Sequence, residues 1–236
     1  MGKIWAIAQR ELKAYFVSPV AYVVAALFML ISGYLFSLIL YHSREASMRG
    51  LFSNLNVVFL LITPALTMRL LAEERQRGTI EMLMTSPVTD LQIVLGKYLS
   101  SLLYLAFLLA LTVIFPLTLA WLGQPDWMTL LTGYLAIYLL GASFMAIGLL
   151  TSSWTNNQVI AAVATFALSL LIWLLPSASA IVGQPLGQVF EYVSLLQHQE
   201  NLLRGVIDTS DVIYYLSFIV GSLFLTIRSV EVYRWR

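Results

Sequence analysis

The chain has 236 residues, 60% of them hydrophobic and 11% charged. A soluble domain carries about 25% charged residues, so this sequence has too little polar surface to cover a water-soluble globule. The net charge of +1 gives no basic field for nucleic acid, and the lack of cysteine excludes disulfides, thiol nucleophiles and Cys-ligated metals.

In chain order, the first element is amphipathic. At 100° per residue Ile4, Trp5, Ala8, Leu12, Tyr15 and Phe16 fall on one helical face, with Lys3, Arg10 and Lys13 opposite. This predicts an interfacial helix over 1–17 that lies on the inner leaflet. Ser18-Pro19 ends it and turns the chain into the membrane. The first apolar run is too long for a signal peptide and is expected to be retained. A spanning helix needs roughly 20 largely uncharged residues, and the gaps between charges supply six. They lie at about 20–41, 51–71, 93–121, 128–151, 157–176 and 211–229. Pro64 and Pro116 sit within the second and third and are expected to kink them. Thr151–Gln158 breaks the uncharged stretch that holds the fourth and fifth. Between the fifth and sixth, the segment 177–210 carries an apolar stripe of Val189, Phe190, Val193, Leu196 and Leu203, which suits either a short outer helix or a re-entrant hairpin.

Six spans place both termini on one side. With the termini inside, the inner segments hold Lys3, Arg10, Lys13, Arg69, Arg75, Arg77, Lys97, Arg228, Arg234 and Arg236, and the outer ones only Arg44, Arg49 and Arg204. The excess of basic residues puts the termini in the cytoplasm. The fold expected is all-α: one permease-like membrane domain over 1–236, with six transmembrane helices and no internal repeat.

Chemistry-bearing patterns are absent. There is no phosphate loop for ATP and no H-E-x-x-H. His42 and His198 are both expected in outer segments, as interfacial polar residues rather than metal ligands. No span carries an ionisable group at mid-depth, which argues against an ion-driven carrier. The one dense charged cluster, over 73–90, lies inside between spans two and three. There Ile80, Leu83 and Met84 form an apolar face on a short helix over Gly78–Ser86, with Thr79 as its cap and Pro87 as its stop. Such a face, with no core beneath it, suits a partner's groove. Glu73 and Glu74 are open to three roles: meeting basic residues of a partner, solvating the end of span two, or pairing locally with Arg77. Gly78 is expected where backbones approach closely. In spans four and five, Gly141, Ala142, Ser143, Ala146, Gly148, Ala161, Ala162, Ala164 and Ala167 permit close helix packing, within one subunit or between two.

The pattern Glu73-Glu74-x-x-x-Gly78-Thr79-x-Glu81-x-Leu83-x-x-x-Pro87, followed by Leu91-x-Ile93-Val94-Leu95-Gly96-Lys97, resembles the signature of type 2 ABC transporter permeases. Two further segments resemble a narrower group, the gliding-motility-like ABC permeases. One is Arg10-Glu11-Leu12-Lys13-Ala14-Tyr15-Phe16-x-Ser18-Pro19; the other is Arg204-Gly205-Val206-Ile207-Asp208-x-x-Asp211.

The resemblance implies a non-catalytic, multi-pass subunit of the bacterial cytoplasmic membrane. Its partners would be an ABC ATPase subunit, a second or homologous permease copy and the lipid bilayer, with room for a periplasmic accessory protein and none for nucleic acid. ATP and Mg are expected on the ATPase, and no cofactor on this chain. It further implies ATPase coupling through Glu73, Glu74, Gly78, Thr79, Glu81, Leu83 and Pro87. An interfacial helix would present Trp5, Arg10, Glu11, Lys13, Tyr15 and Phe16, and an outer motif Arg204, Gly205, Asp208 and Asp211. The rival function is a membrane anchor that transmits ATPase work to a periplasmic assembly without moving a solute. An intramembrane enzyme finds no catalytic constellation.

Overall fold

The computed structural model describes residues 2–43, 47–79, 88–183 and 186–234. These form eleven helices and, among the described residues, no strand. They are α1 (Gly2–Val17), α2 (Pro19–Ser43), α3 (Arg49–Thr67), α4 (Ala72–Gln76), α5 (Asp90–Leu111), α6 (Ile114–Leu122), α7 (Trp127–Ser152), α8 (Gln158–Val182), α9 (Leu186–Val193), α10 (Leu195–Leu203) and α11 (Thr209–Arg234). Six helical stretches are long and apolar enough to cross a membrane: Pro19–His42, Arg49–Gln76, Asp90–Leu122, Trp127–Ser152, Gln158–Ser179 and Thr209–Val232. They match the expected spans, most of them with a few extra residues at the ends.

The helix ends follow local chemistry. Pro19 takes the first position of α2, where its missing N–H costs nothing, and Ser18 Oγ accepts the Val20 N–H at 3.4 Å. Thr89 and Gln92 form a reciprocal capping box at the start of α5. Asn157 caps α8 through the N–H groups of Val159 and Ile160. Pro116 separates α5 from α6, because its ring clashes with the carbonyl four residues back. That carbonyl, on Thr112, instead receives the Phe115 N–H at 2.9 Å and the Tyr134 hydroxyl from α7 at 3.0 Å. An apolar bilayer would otherwise leave this group unsatisfied. Pro176 has no such effect: α8 runs past the expected end at 176 to Val182.

The core centres on α7, which packs against α3, α5, α8, α10 and α11. It is buried continuously from Leu139 to Ser153, so its small residues are used inside the chain. Gly133 lies under the Phe52 ring and Gly148 under Thr67, with no space for a Cβ at either. Ala142, Ser143 and Ala146 are also buried, and Ala161 opens a covered α8 stripe continued by Thr165 and Ser169. Ala167 is exposed. By contrast α2 buries a single stripe, Ala21, Val24, Phe28 and Ser32, and exposes Val23, Leu27, Leu30 and Tyr34. Among the described tryptophans, Trp121 and Trp127 are exposed at one end of the bundle, and Trp5 and Trp154 at the other. This is the placement of interfacial aromatics.

One end, called here the terminal end, holds α1, the start of α5 and the last turns of α7 and α11, where Ser229 donates to the Ser153 carbonyl. At the opposite, distal end the segment between α8 and α11 forms two helices, α9 and α10, hinged at Ser194, whose hydroxyl caps α10. Two tyrosines of α11 pin the hinge. Tyr214 donates to the Val193 carbonyl and Tyr215 to that of Leu195, both at 2.6 Å. Gln199 then enters the core and exchanges two hydrogen bonds with Asn56 of α3, at 2.6 and 3.0 Å. Replacing Asn56 with Leu strands the buried Gln199 amide, a loss of about 1–3 kcal/mol. The double replacement of both by Leu should recover much of it. A double-mutant cycle on thermal unfolding of the purified protein checks this.

Candidate functional site

A buried ammonium organises the terminal end. Lys97, in the second turn of α5, is 1% exposed. Its neighbours Ile93, Val94 and Tyr98 belong to the apolar core, and the carboxylates that pair with it come from other helices. The cover comes from α1, which runs along α5 at the residue just before. A Cβ placed on Gly96 would lie 2.7 Å from the Ile7 side chain and 3.1 Å from the Ile4 carbonyl, so only glycine admits this approach. The packed face of α1 therefore centres on Ile7 and Ala8, with Ile4, Glu11, Leu12, Tyr15 and Phe16 partly covered, while Trp5 is 49% exposed. Tyr15 fixes the end of the helix. Its hydroxyl donates to the Leu66 carbonyl at 2.7 Å, and its ring stacks on Tyr104 with centroids 5.1 Å apart. Phe16 lies edge-on to Phe107. Lys13 faces away and is exposed.

Two carboxylates meet Lys97 Nζ from different helices: Glu11 Oε1 of α1 at 3.2 Å and Glu74 Oε1 of α4 at 3.0 Å. Arg10 Nη2 closes the cluster from outside, at 2.8 Å from Glu11 and 3.0 Å from Glu74. Beside it, Glu73 bridges Arg69 at 3.0 Å and Arg77 at 2.7 Å, and Arg69 reaches Ser18 Oγ at the joint between α1 and α2. Of the three roles open to Glu73 and Glu74, the structure displays local pairing, and with more partners than Arg77 alone. Burial pushes the Glu11 carboxyl up, but Lys97 and Arg10 outweigh it and hold Glu11 below the ordinary glutamate range.

Helix α4 is held by a neighbour rather than by its own sequence. Its N-cap residue, Leu71, has no side chain to offer. Ser152, at the end of α7, accepts the N–H groups of Leu71 and Ala72, both at 3.0 Å, and donates to the Met68 carbonyl. A side chain eighty residues away thus performs the capping that a helix start requires. At the other end Arg77 is the C-cap and Gly78 follows with φ +69°, the left-handed conformation that commonly closes helices. Gly78 therefore closes the helix that begins at Ala72, and Thr79 just after it is helical again, where the expected helix over Gly78–Ser86 would start. Among the described residues nothing lies within 4 Å of a Cβ added there, so its requirement is backbone conformation, not close approach. Thr79 Oγ1 reaches the Glu74 carbonyl at 3.4 Å. Glu81, Leu83 and Pro87, and most of the expected helix over Gly78–Ser86, lie outside the described residues.

These groups line an open groove of about 740 Å³ bounded by Ile7, Arg10, Glu11, Arg69, Glu73, Glu74, Arg77 and Lys97, with Thr79 and Val88 at its edge. Among the described residues no cluster of His, Asp and Glu could hold a metal ion.

The distal motif divides. Asp211 is buried and receives Asn201 Nδ2 at 3.0 Å, with His198 Nδ1 at 2.7 Å. His198 also stacks on Tyr214, centroids 4.0 Å apart. Gly205 has φ +91° and ends α10. Asp208 caps the approach to α11 through the Ser210 N–H. Arg204 is exposed and pairs only with Glu200 among the described residues.

Sequence reasoning missed Lys97, Ser152, Gln199 and His198 as organising residues. Glu11 and Lys97 carried a signal. Glu11 shares the stripe of Ile4, Ala8 and Tyr15, and Lys97 interrupts an apolar run, so each needed an opposite charge from elsewhere. Ser152 carried none, because its partners are backbone groups of a distant segment.

Six apolar spans, one of them a buried central helix, with a charged cluster at one end, define a multi-pass membrane protein. Residues 5–226 match the model of the ABC-2 family transporter proteins, and the chain belongs to that family. It is thus a membrane permease subunit of an ABC transporter, a class that works with an ABC ATPase. No curated protein matches the chain.

Replacing Lys97 with Met should destabilise the fold by about 3 kcal/mol, since it leaves carboxylates facing each other without their central cation. Glu11 sets a pH window. Its carboxyl is depressed in the folded state, so its stabilisation is complete above the ordinary glutamate range and is lost as the pH falls through its lower folded value. Thermal unfolding followed from neutral to acid pH should show this loss in the wild type and a smaller one in E11Q.

Proposed function

We propose that this chain is the membrane subunit of an ATP-driven, exporter-type complex, and that a separate ATPase acts on it at the groove between α1, α4 and α5. On this reading the terminal end faces the cytoplasm, α1 lies at the inner membrane surface, and the segment 80–87 that leaves α4 past Gly78 carries the coupling helix. The single observation that carries the reading is the ion-pair cluster on Lys97. It ties three helices that are distant in sequence at the edge from which 80–87 departs, and it sits at the end richest in basic residues. Work delivered to a short helix changes a membrane bundle only if that helix is joined to the spans by contacts that differ between two states. Glu74 supplies such a joint to α1 and α5, and Ser152 supplies one to α7.

Two copies of the chain, or this chain and a homologous permease, complete the complex, with the weakly buried α2 and α8 available to lipid or to a second copy. The resemblance of Arg10–Pro19 and Arg204–Asp211 supports placement in the gliding-motility-like group, in the bacterial cytoplasmic membrane. Helices α9 and α10, tied to α3 and α11, would form the outer closure of the bundle.

The purified chain in lipid nanodiscs should hydrolyse no ATP, and addition of its cognate ATPase subunit should give a complex whose hydrolysis responds to the permease. Hydrolysis by the chain alone, or an ATPase that ignores it, overturns the reading. Topology is tested separately. A reporter fused after Arg236 should be cytoplasmic and one inserted beside Arg204 should not, and the reverse pattern inverts the orientation.

A further inference from the structure

The charges of the groove are layered. Side chains of its three carboxylates, Glu11, Glu73 and Glu74, are 16–17% exposed, and each already holds at least two cations. The Lys97 ammonium lies deepest. The guanidinium groups stand outermost, with Arg10 55% and Arg77 70% exposed. Lys13, also exposed, follows Arg10 by three residues, close to one helical turn on. Among the described residues, a partner approaching this face therefore meets cations before it meets the groove's carboxylates.

The outer cations also retain bonding capacity. A guanidinium carries five N–H donors. Among the described residues, Arg10 uses only Nη2, for both Glu11 and Glu74, and Arg77 uses Nη2 for Glu73. The remaining donors suit bidentate pairing with further carboxylates.

Resting on the function proposed above, we infer that the ATPase surface docking at this groove is acidic, and that its carboxylates pair with Arg10 and Arg77. Glu73 and Glu74 do not reach out to basic residues of the partner. They are the inner layer that holds the two arginines in place, so the recognition charge is positive on the permease and negative on the ATPase. Lipid phosphates are the competing anion for cations at a membrane surface. The position of Arg77 beyond α4, on the groove rather than along α1, favours the protein.

The test measures affinity of the cognate ATPase for the full-length permease in nanodiscs of neutral lipid, with a parallel set in anionic lipid. Wild-type binding should weaken steadily with added NaCl. R77E should weaken it by on the order of tenfold or more, since like charges are then opposed across the interface. R10E should act in the same direction, and R77K should retain most of the affinity. Arg77 is exposed enough for R77E to fold, and an unchanged thermal midpoint verifies this. If the ATPase binds R77E and R10E as tightly as wild type, at any salt, the inference is overturned while the coupling site stands. If the variants matter only in anionic lipid, the cations serve the bilayer and the inference is again overturned. If the ATPase fails to bind the wild type at all, the proposed function falls with it.

Discussion

The terminal end of this protein depends on one constraint: the Lys97 ammonium is covered. Removing a charge from water costs several kcal/mol per ion, even after relaxation, unless opposite charges accompany it. The carboxylates that pair with it come from two other segments. That requirement places α1 against α5, and Gly96 makes the placement possible by removing the Cβ that would hold the helices apart. It also places α4, whose Glu74 must arrive at the same nitrogen. Arg10 then balances the second negative charge. The groove is the geometric consequence of satisfying one buried cation from two other helices.

The distal end solves a related problem with neutral groups. Backbone that leaves the helical ladder near a membrane needs side chains to satisfy it. Here Tyr214 and Tyr215 take the carbonyls at the hinge between α9 and α10, Ser194 caps the second helix, and Asp211 gathers His198 and Asn201. The Asn56–Gln199 amide pair carries the attachment across to α3. One end is held by ion pairs and the other by tyrosines and amides. The distal attachment is thus less exposed to salt than the groove, where Arg10 and Arg77 remain in contact with solvent.

Much of the architecture was legible in the sequence because it rests on one-dimensional rules. Uncharged runs gave the spans, and Ser18-Pro19 gave the joint after α1. What was not legible depends on partners remote in sequence. Ser152 caps a helix eighty residues earlier, and no periodicity announces that. Gly78 closes α4 with its positive φ, a role that the apolar face following it did not announce. The apolar face of α1 read from hydrophobicity includes Trp5, whereas the stripe packed on α5 is set by the fit of Ile7 over Gly96, which leaves the indole outside. The stripe admits Glu11 because charge, not hydropathy, decides that position. For the site, the segment containing Glu73 and Glu74 was found, while the reason for its importance, a lysine on the next span, was not.

The attachments of α4 restrict how any displacement of it can travel. Ser152 ties its first turn to α7, which is buried on nearly all sides and whose glycines sit under Phe52 and Thr67 with no clearance. A packed core of this kind resists continuous deformation. Glu74 ties the same helix to α1 and α5 through charges at the protein edge, where rearranging an ion pair costs less because water can take part in it. A force on α4 therefore has a stiff route and a compliant one. The stiff route would carry the whole bundle along as a body. The compliant route would exchange the partners of Glu74 and Arg10 and let α1 shift along α5, limited by the Ile7–Gly96 contact. The two differ at Lys97, since only the second requires its carboxylates to part. The burial of that lysine makes their parting expensive, which favours the stiff route, with α1, α4, the head of α5 and α7 moving together.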